Sequence, residues 1–443
     1  MPLNTVHPML CVAALLCLSG SALAVGNQSL DRRMDNANRH IEQRAERALE
    51  RAQGRQLDAI EQRIHRRAER IPDKLPAAAD RVKITSPRGH AAFHDVTLET
   101  GFRAVERQWM ATVTASDITQ LEQAGVTIIE QRELAALDMH VVRFRVPPAL
   151  DSLSTLQSLF PDLAPSLDRN HIYSTQSGAA YPVNESPRPT WSTVCDSDIN
   201  IGMVDTAIDA NHPVFADATV IQQSFLTLDG GNDQLTSPTT HGTAVAGLMI
   251  GRAVQHGQAR LPNATLFNAS VFYEQDEGLN GATLGHLLEG LNWLAEQQVA
   301  VINISLAGPA NRLLEVAMVN LHRNGIGLVA AVGNEGPAAG PLYPAAYQPV
   351  IGVTAVDDDG QLYRWANRGD QVNFAARGVN VPVAQPGGGF VMDSGTSLAA
   401  PVVSAALACE LDAAPLPEAL QALISRAQGP ANTSRYGHGL LML

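Results

Sequence analysis

The sequence predicts an α/β fold: a three-layer parallel sheet with helices on both faces, preceded by a ferredoxin-like α+β unit and an N-terminal charged helix. Three observations carry this. From residue 199 to residue 332, short apolar runs without alternation trade places with helical segments, the pattern of parallel strands covered on both sides. Between residues 103 and 175 the predicted elements follow a β-α-β-β-α-β order. From residue 30 to about residue 71, apolar residues recur at three- and four-residue steps in a stretch rich in Arg and Glu.

The first segment, residues 1–24, reads as an export signal. Met9 to Leu18 is apolar, Ser19-Gly20-Ser21 breaks the helix, and Ala22-Leu23-Ala24 is a small-x-small cleavage site. The rival is an uncleaved anchor, because Pro8 to Val25 sits at the short limit for a membrane span and the n-region holds His7 but no Lys or Arg. Residues 25–100 then hold the Arg/Glu helix, interrupted near Gly54 and closed by Pro72 and Pro76, and a linker rich in Ala, Pro and Gly. The helix is a solvated, charge-paired arm in its plain reading and a coiled-coil partner site in its sharper one.

Residues 101–180 form the smaller unit. Gln108 to Val113 has strand character, and Ser116 to Gly125 reads as a capped helix ending in Gly. Val126 to Ile129 and Met139 to Val146 are strands, Asp151 to Leu159 is helical, and Arg169 to Tyr173 is extended. Such a fold in isolation says nothing about activity.

Residues 185–443 form the large unit. Ile199 to Val204 is a buried strand ending at Asp205. Leu284 to Gln297 and Leu313 to Asn324 are helices, each followed by an apolar strand, Ala300 to Ser305 and Ile326 to Val332. Sites in open parallel sheets gather at the carboxyl ends of strands, where Asp205, Ser305 and Asn334 all fall. Three short Gly-flanked motifs stand out here: Gly202-Met203-Val204-Asp205-Thr206, His241-Gly242-Thr243-Ala244-Val245-Ala246-Gly247, and Gly395-Thr396-Ser397-Leu398-Ala399-Ala400-Pro401. A hydroxyl is a poor nucleophile until a base takes its proton, and an imidazole serves as that base when a carboxylate holds its tautomer. Asp205, His241 and Ser397 supply the three groups, and Ser397 opens a helix whose N-terminus presents unpaired N–H groups.

In order and context these motifs resemble the subtilisin-like serine proteases, the subtilases of peptidase family S8, whose relay runs Asp, His, Ser along the chain. Further matches are Asn303-Ile304-Ser305-Leu306, Gly333-Asn334-Glu335-Gly336, Tyr343-Pro344-Ala345, Val350-Ile351-Gly352-Val353, Trp365 to Gly369 and Tyr436 to Gly439. The resemblance implies an exported, autoprocessed endopeptidase with Ser397 as nucleophile and Asn334 as oxyanion donor. It implies substrate contacts at Ser305, Leu306, Ala307, Gly333 and Leu342. It also makes residues 101–180 an inhibitory propeptide, with polypeptides and that propeptide as partners and a release point between about Tyr173 and Glu185. A catalytically silent subtilase-fold binding protein and an acyl or peptidyl transferase are the alternatives.

The chain departs from the family pattern at three places. Ala207 stands where Gly is usual two residues after the Asp, which adds a methyl group and restricts the backbone. Ala307 replaces the first Gly of Ser-Leu-Gly-Gly, and Leu342 replaces a Gly before Tyr-Pro, which predicts a shallow pocket for small or medium apolar side chains.

Charge and cysteines bound the rest. Counting from residue 185 gives 10 Arg against 23 Asp and Glu, so the whole formal charge of −13 lies in the large unit, which argues against nucleic acid as a partner. With the signal removed, no membrane span is expected. Cys195 precedes the first strand, and Cys409 lies twelve residues along the Ser397 helix, about 18 Å down it. Export permits a disulfide between them, and two buried thiols are the other reading. No cofactor is expected for catalysis. Structural Ca²⁺ is common in the family, but Asp229-Gly230-Gly231-Asn232-Asp233 and Asp357-Asp358-Asp359 fit no EF-hand loop and read as solvated turns.

Overall fold

The structure is a computed structural model and describes residues 81–175, 192–228, 233–252, 258–275, 279–429 and 434–442. The expected signal, the Arg/Glu helix, the chain just beyond Thr175 and the Gly-rich turn at 229–232 lie outside the described residues. From Ala78 onward the chain forms one contact unit of two lobes.

The upstream lobe begins earlier than the sequence suggests. Strands β1 (Arg81–Thr85) and β2 (Ala91–Thr97) form an antiparallel hairpin within the span expected to be linker. Pro87 and Gly89, which look like linker residues, sit in its turn. There Ser86 N–H donates to the His90 carbonyl at 2.9 Å, and Gly89 adopts φ +81°. The remaining elements are β3 (Arg103–Thr112), α1 (Ala115–Gln123), β4 (Thr127–Leu134), β5 (Met139–Arg145), α2 (Leu153–Leu159) and β6 (Asp168–Thr175). Strand β5 pairs with both β3 and β4, and β6 takes the other edge of β3, so the antiparallel order is β4-β5-β3-β6. That is the ferredoxin-like arrangement.

Local chemistry sets the helix ends in this lobe. The Asp117 carboxylate accepts the Thr114 N–H at 2.7 Å, a capping box, and Ser152 accepts the Thr155 N–H at 3.2 Å. Trp109, Phe144, Leu156 and Phe160 fill the space between sheet and helices.

In the large lobe the strands β7 (Asn200–Asp205), β8 (Thr219–Ser224) and β9 (Thr265–Ser270) come first, with helix α3 (Thr240–Ile250) between the last two. A hairpin of β10 (Tyr273–Gln275) and β11 (Leu279–Thr283) follows, then α4 (Leu284–Glu296), β12 (Val301–Ile304) and the short β13 (Leu306–Ala307). Helix α5 (Arg312–Arg323) leads to β14 (Gly327–Ala331), β15 (Ile351–Val356) and β16 (Phe374–Arg377). The hairpin β17 (Val381–Ala384) with β18 (Phe390–Asp393) precedes α6 (Thr396–Ala413), α7 (Leu416–Arg426) and β19 (Leu440–Leu441).

Eight strands make one sheet in the order β19-β16-β15-β14-β12-β7-β9-β8, every pairing parallel. Strands β12, β14 and β15 are buried along their whole length, which explains their unbroken apolar sequence. Residues of α3, α6 and α7, among them Val245, Leu398 and Leu423, cover one face. Residues of α4 and α5, among them Leu287, Leu291 and Met318, cover the other. Upstream-lobe residues Met110, Leu137, Val141 and Tyr173 belong to this second cluster, so the two lobes share a core. Cys195 and Cys409 are bonded, with their Cα atoms 5.9 Å apart. Among the described residues, only α6 is long and apolar enough to cross a membrane, and it is largely buried in the core.

Candidate active site

Because the sheet is parallel, the carboxyl ends of β7, β12 and β14 lie on one edge, and Asp205, Ser305 and Asn334 follow from them. Asp205 is fully buried. Its Oδ1 accepts the Thr206 N–H and faces His241 Nδ1, each at 2.7 Å. His241 stands in the first turn of α3, and the residue after it explains the close approach. The Gly242 N–H donates to Thr206 Oγ1 at 2.7 Å, and a Cβ at Gly242 would sit 2.5 Å from the Ala207 carbonyl oxygen. Only glycine lets the helix start this close to the end of β7. His241 Nε2 has no hydrogen-bond partner among the described residues, so one ring nitrogen is committed to Asp205 and the other is available for chemistry. Burial lowers the His241 pKa, but the charge and hydrogen bond of Asp205, with a further pull from Asp393, outweigh it and leave it raised.

Ser397 lies in the first turn of α6 and is buried. Pro401, four residues on, has no N–H to give the Ser397 carbonyl. The Ser305 hydroxyl donates to that carbonyl instead, at 3.0 Å, which ties the end of β12 to the serine. Asn334 is held by the residue before the serine: its Oδ1 accepts the Thr396 hydroxyl at 2.9 Å and the Thr396 N–H at 3.1 Å. With Oδ1 committed to Thr396, the Nδ2 end is the one that can donate to a substrate oxygen. Gly333, at φ +107°, makes this turn, and a Cβ there would stand 2.7 Å from Leu342 Cδ1. Leu342 is buried against it.

Leu306 and Ala307 are β13, and they pair antiparallel with Thr175 and Ser174 of β6. On its other edge β6 pairs with β11, Ala282 opposite Tyr173 and Thr283 opposite Ile172. The last strand of the upstream lobe therefore lies as the middle strand between β11 and β13. Ala207 is not among the residues with positive φ, and its N–H donates to the Pro238 carbonyl at 3.0 Å. The alanine in place of the usual glycine thus carries no backbone strain.

Sequence reasoning missed Thr396 as the holder of Asn334, Pro401 as the cause of the Ser305 contact, and Asp393. Thr396 was visible inside the Gly-Thr-Ser motif, whereas Asp393 has no motif to mark it. Among the described residues no group of three His, Cys, Asp or Glu side chains could hold a metal. Asp357 accepts the Asp359 and Gln361 N–H groups of its own turn, and Asp358 pairs with Arg377.

A sequence profile of the subtilase family, peptidase S8, matches residues 196–439. The chain belongs to this family, the subtilisin-like serine proteases. It is similar to the major intracellular serine protease of Bacillus subtilis, 32% identical over 51% of this chain and 72% of the relative. It is similar also to subtilisin DY of Bacillus licheniformis, 31% identical over 55% of this chain and 89% of that protein. The solved structure of the epidermin leader peptide processing serine protease of Staphylococcus aureus shares the fold, with a TM-score of 0.58 over 75% of this chain and 96% of that one, at 18% identity.

Proposed function

We propose that this chain is the precursor of an exported serine endopeptidase that cleaves its own upstream lobe. The observation that carries the reading is the position of β6. It ends at Thr175 opposite Leu306, and the neighbouring Ser305 is bonded to the Ser397 carbonyl. That contact puts the end of β6 beside a residue tied to the serine, which supports a release point between about Tyr173 and Glu185.

The Asp205–His241 contact and the contacts that Ser305 and Asn334 make beside Ser397 support a relay of the following kind. Ser397 Oγ attacks the scissile carbonyl while His241 Nε2 takes its proton, and Asp205 holds the imidazole tautomer. The developing oxyanion meets Asn334 Nδ2 and the Ser397 N–H. His241 then gives the proton to the leaving amine, and water, activated by the same base, releases the acyl group from Ser397. No metal or cofactor takes part in these steps. Ser305, Leu306 and Ala307 hold the substrate backbone, and Leu342 against Gly333 limits the pocket to small or medium apolar side chains. Residues 101–180 act as an intramolecular inhibitor whose strand fills the groove until cut.

Labelling by a fluorophosphonate tests the reading. The processed protein should be labelled at Ser397, and an unlabelled but folded protein would point to a silent binding protein. Product analysis with added amines distinguishes hydrolysis from acyl transfer. A cleavage profile dominated by Phe, Tyr or Lys at the residue before the cut would sink the shallow-pocket assignment.

A further inference from the structure

The hairpin β1–β2 grips the large lobe at a place of its own. Ile84 is fully buried, yet it stands outside the upstream lobe's own core around Trp109, Phe144 and Leu156. The other buried members of its cluster are Leu226, Leu235 and Tyr273, all from the large lobe. The Phe93 ring meets the Tyr273 ring edge-on, with centroids 5.4 Å apart. Polar contacts border this patch. The buried Asp95 carboxylate accepts the Tyr273 hydroxyl at 3.1 Å and the Arg103 Nε–H at 3.1 Å, and Arg103 also donates to the Asn280 carbonyl at 2.9 Å. At the turn of the hairpin, the Thr85 N–H donates to Gln275 Oε1 at 3.0 Å and the Ser86 hydroxyl donates to Asp233. His90 Nδ1 faces the same Asp233 oxygen at 2.7 Å. A cavity of about 700 Å³ reaches from Phe93 of the hairpin to Asn170 and Gly285 at the start of α4. The hairpin contact is thus set apart by a hollow from the contact at that helix start.

We propose that this patch is a second docking site, apart from the substrate groove, whose partner is the hairpin and which keeps the cleaved upstream lobe on the processed enzyme. The inference rests on the reading that Ser397 cuts the chain beyond β6. After that cut β6 ends freely, held at its end by Ile172 and Tyr173 against β11 and by Ser174 and Thr175 against β13. A strand end of this kind opens locally at low cost. The hairpin does not share that end, because it lies at the start of the lobe and closes on different residues. Its contact between Asp95 and Tyr273 is a hydrogen bond to a charged group in a dry place, and its loss weakens holding about 10- to 100-fold. Trimming Ile84 to alanine opens a cavity against Leu226 and Leu235, which weakens it about 30-fold or more. Release of the upstream lobe then waits on the hairpin letting go, and the cut alone does not set it.

The test uses the full-length chain, allowed to cut itself, and follows the rate at which the cleaved upstream lobe leaves the large lobe on gel filtration. Tyr273→Phe changes only the large lobe and should speed that loss about 10- to 100-fold. Ile84→Ala changes only the hairpin and should speed it about 30-fold or more. Loss at the wild-type rate in both variants, with the cut made, would overturn the proposal. A second measurement needs no cut: in full-length Ser397→Ala, the change Tyr273→Phe should speed amide exchange across β1 and β2 about tenfold or more, and unchanged exchange would overturn the proposal too. An uncut wild type whose exchange still responds to Tyr273→Phe would sink the self-cutting reading and leave the docking site standing. A wild type that cuts itself but sheds its upstream lobe no more slowly than the two variants has the opposite meaning.

Discussion

Asp205 and His241 make one short contact, and the rest of the relay depends on how His241 is tuned. Its raised pKa places the acid limb of kcat/KM above the ordinary histidine value of about 6.5, because the neutral ring must act as base. Asp393 contributes to that rise, so Asp393→Asn should move the acid limb to lower pH. A limb that stays put in the pH–rate profile would remove Asp393 from the account. Asn334→Ala should lower turnover about 10²–10³-fold with little change in KM, a magnitude taken from subtilisin's own oxyanion asparagine rather than derived from these distances. Asp205, His241, Ser397 and Asn334 stand out in the sequence as candidates because each sits in a short motif at the end of a strand or the start of a helix. Thr396 and Pro401 act through backbone groups of their neighbours, and such contacts leave no pattern until the helix and strand ends are brought together.

At the scale of elements, α4, α5 and the strands β7, β12 and β14 were readable to within a residue or two, since unbroken apolar runs and capped amphipathic stretches differ in period. The hairpin β1–β2 was not. Its turn residues look like a linker, and its inner residues Val82, Ile84 and Phe93 pack against Leu226, Leu235 and Tyr273 of the large lobe, far away in sequence. The Cys195–Cys409 bond joins the segment before β7 to the helix that carries Ser397, closing a loop of 214 residues. Breaking it with Cys195→Ser should destabilise the large lobe by about 2–5 kcal/mol while leaving kcat near the wild-type value, because both cysteines lie away from the relay. Thermal unfolding checks the first part, and an unchanged midpoint would contradict it.

At the scale of the whole molecule the two lobes are joined by a continuous nine-stranded sheet and by caps on α4 and α5. The Asn170 side chain accepts the Gly285 N–H at 3.2 Å, and Asp168 accepts the Arg312 N–H at 3.0 Å, each at a helix start. Two histidines lie where the lobes meet, His171 buried and His286 half-buried. Burial lowers the His171 pKa, with Asp168 opposing and Arg169 adding, and burial with Arg143 pushes His286 down to about 3. Both are held neutral when docked and return towards about 6.5 when apart, so the separated lobes bind more protons. Docking affinity is therefore full above that value and falls as the pH drops below it. Inhibition of the processed enzyme by its cleaved upstream lobe should weaken between about pH 7.5 and about pH 5, and a pH-independent inhibition constant would contradict this.

In the proposed reaction Ser397 cuts its own chain beyond β6. Mass measurement of wild type and Ser397→Ala, each expressed alone, tests it most directly. The wild type should yield a large-lobe fragment that begins within residues 176 to 185, and Ser397→Ala should keep its upstream lobe covalently attached. Processing of Ser397→Ala to the same fragment would contradict it.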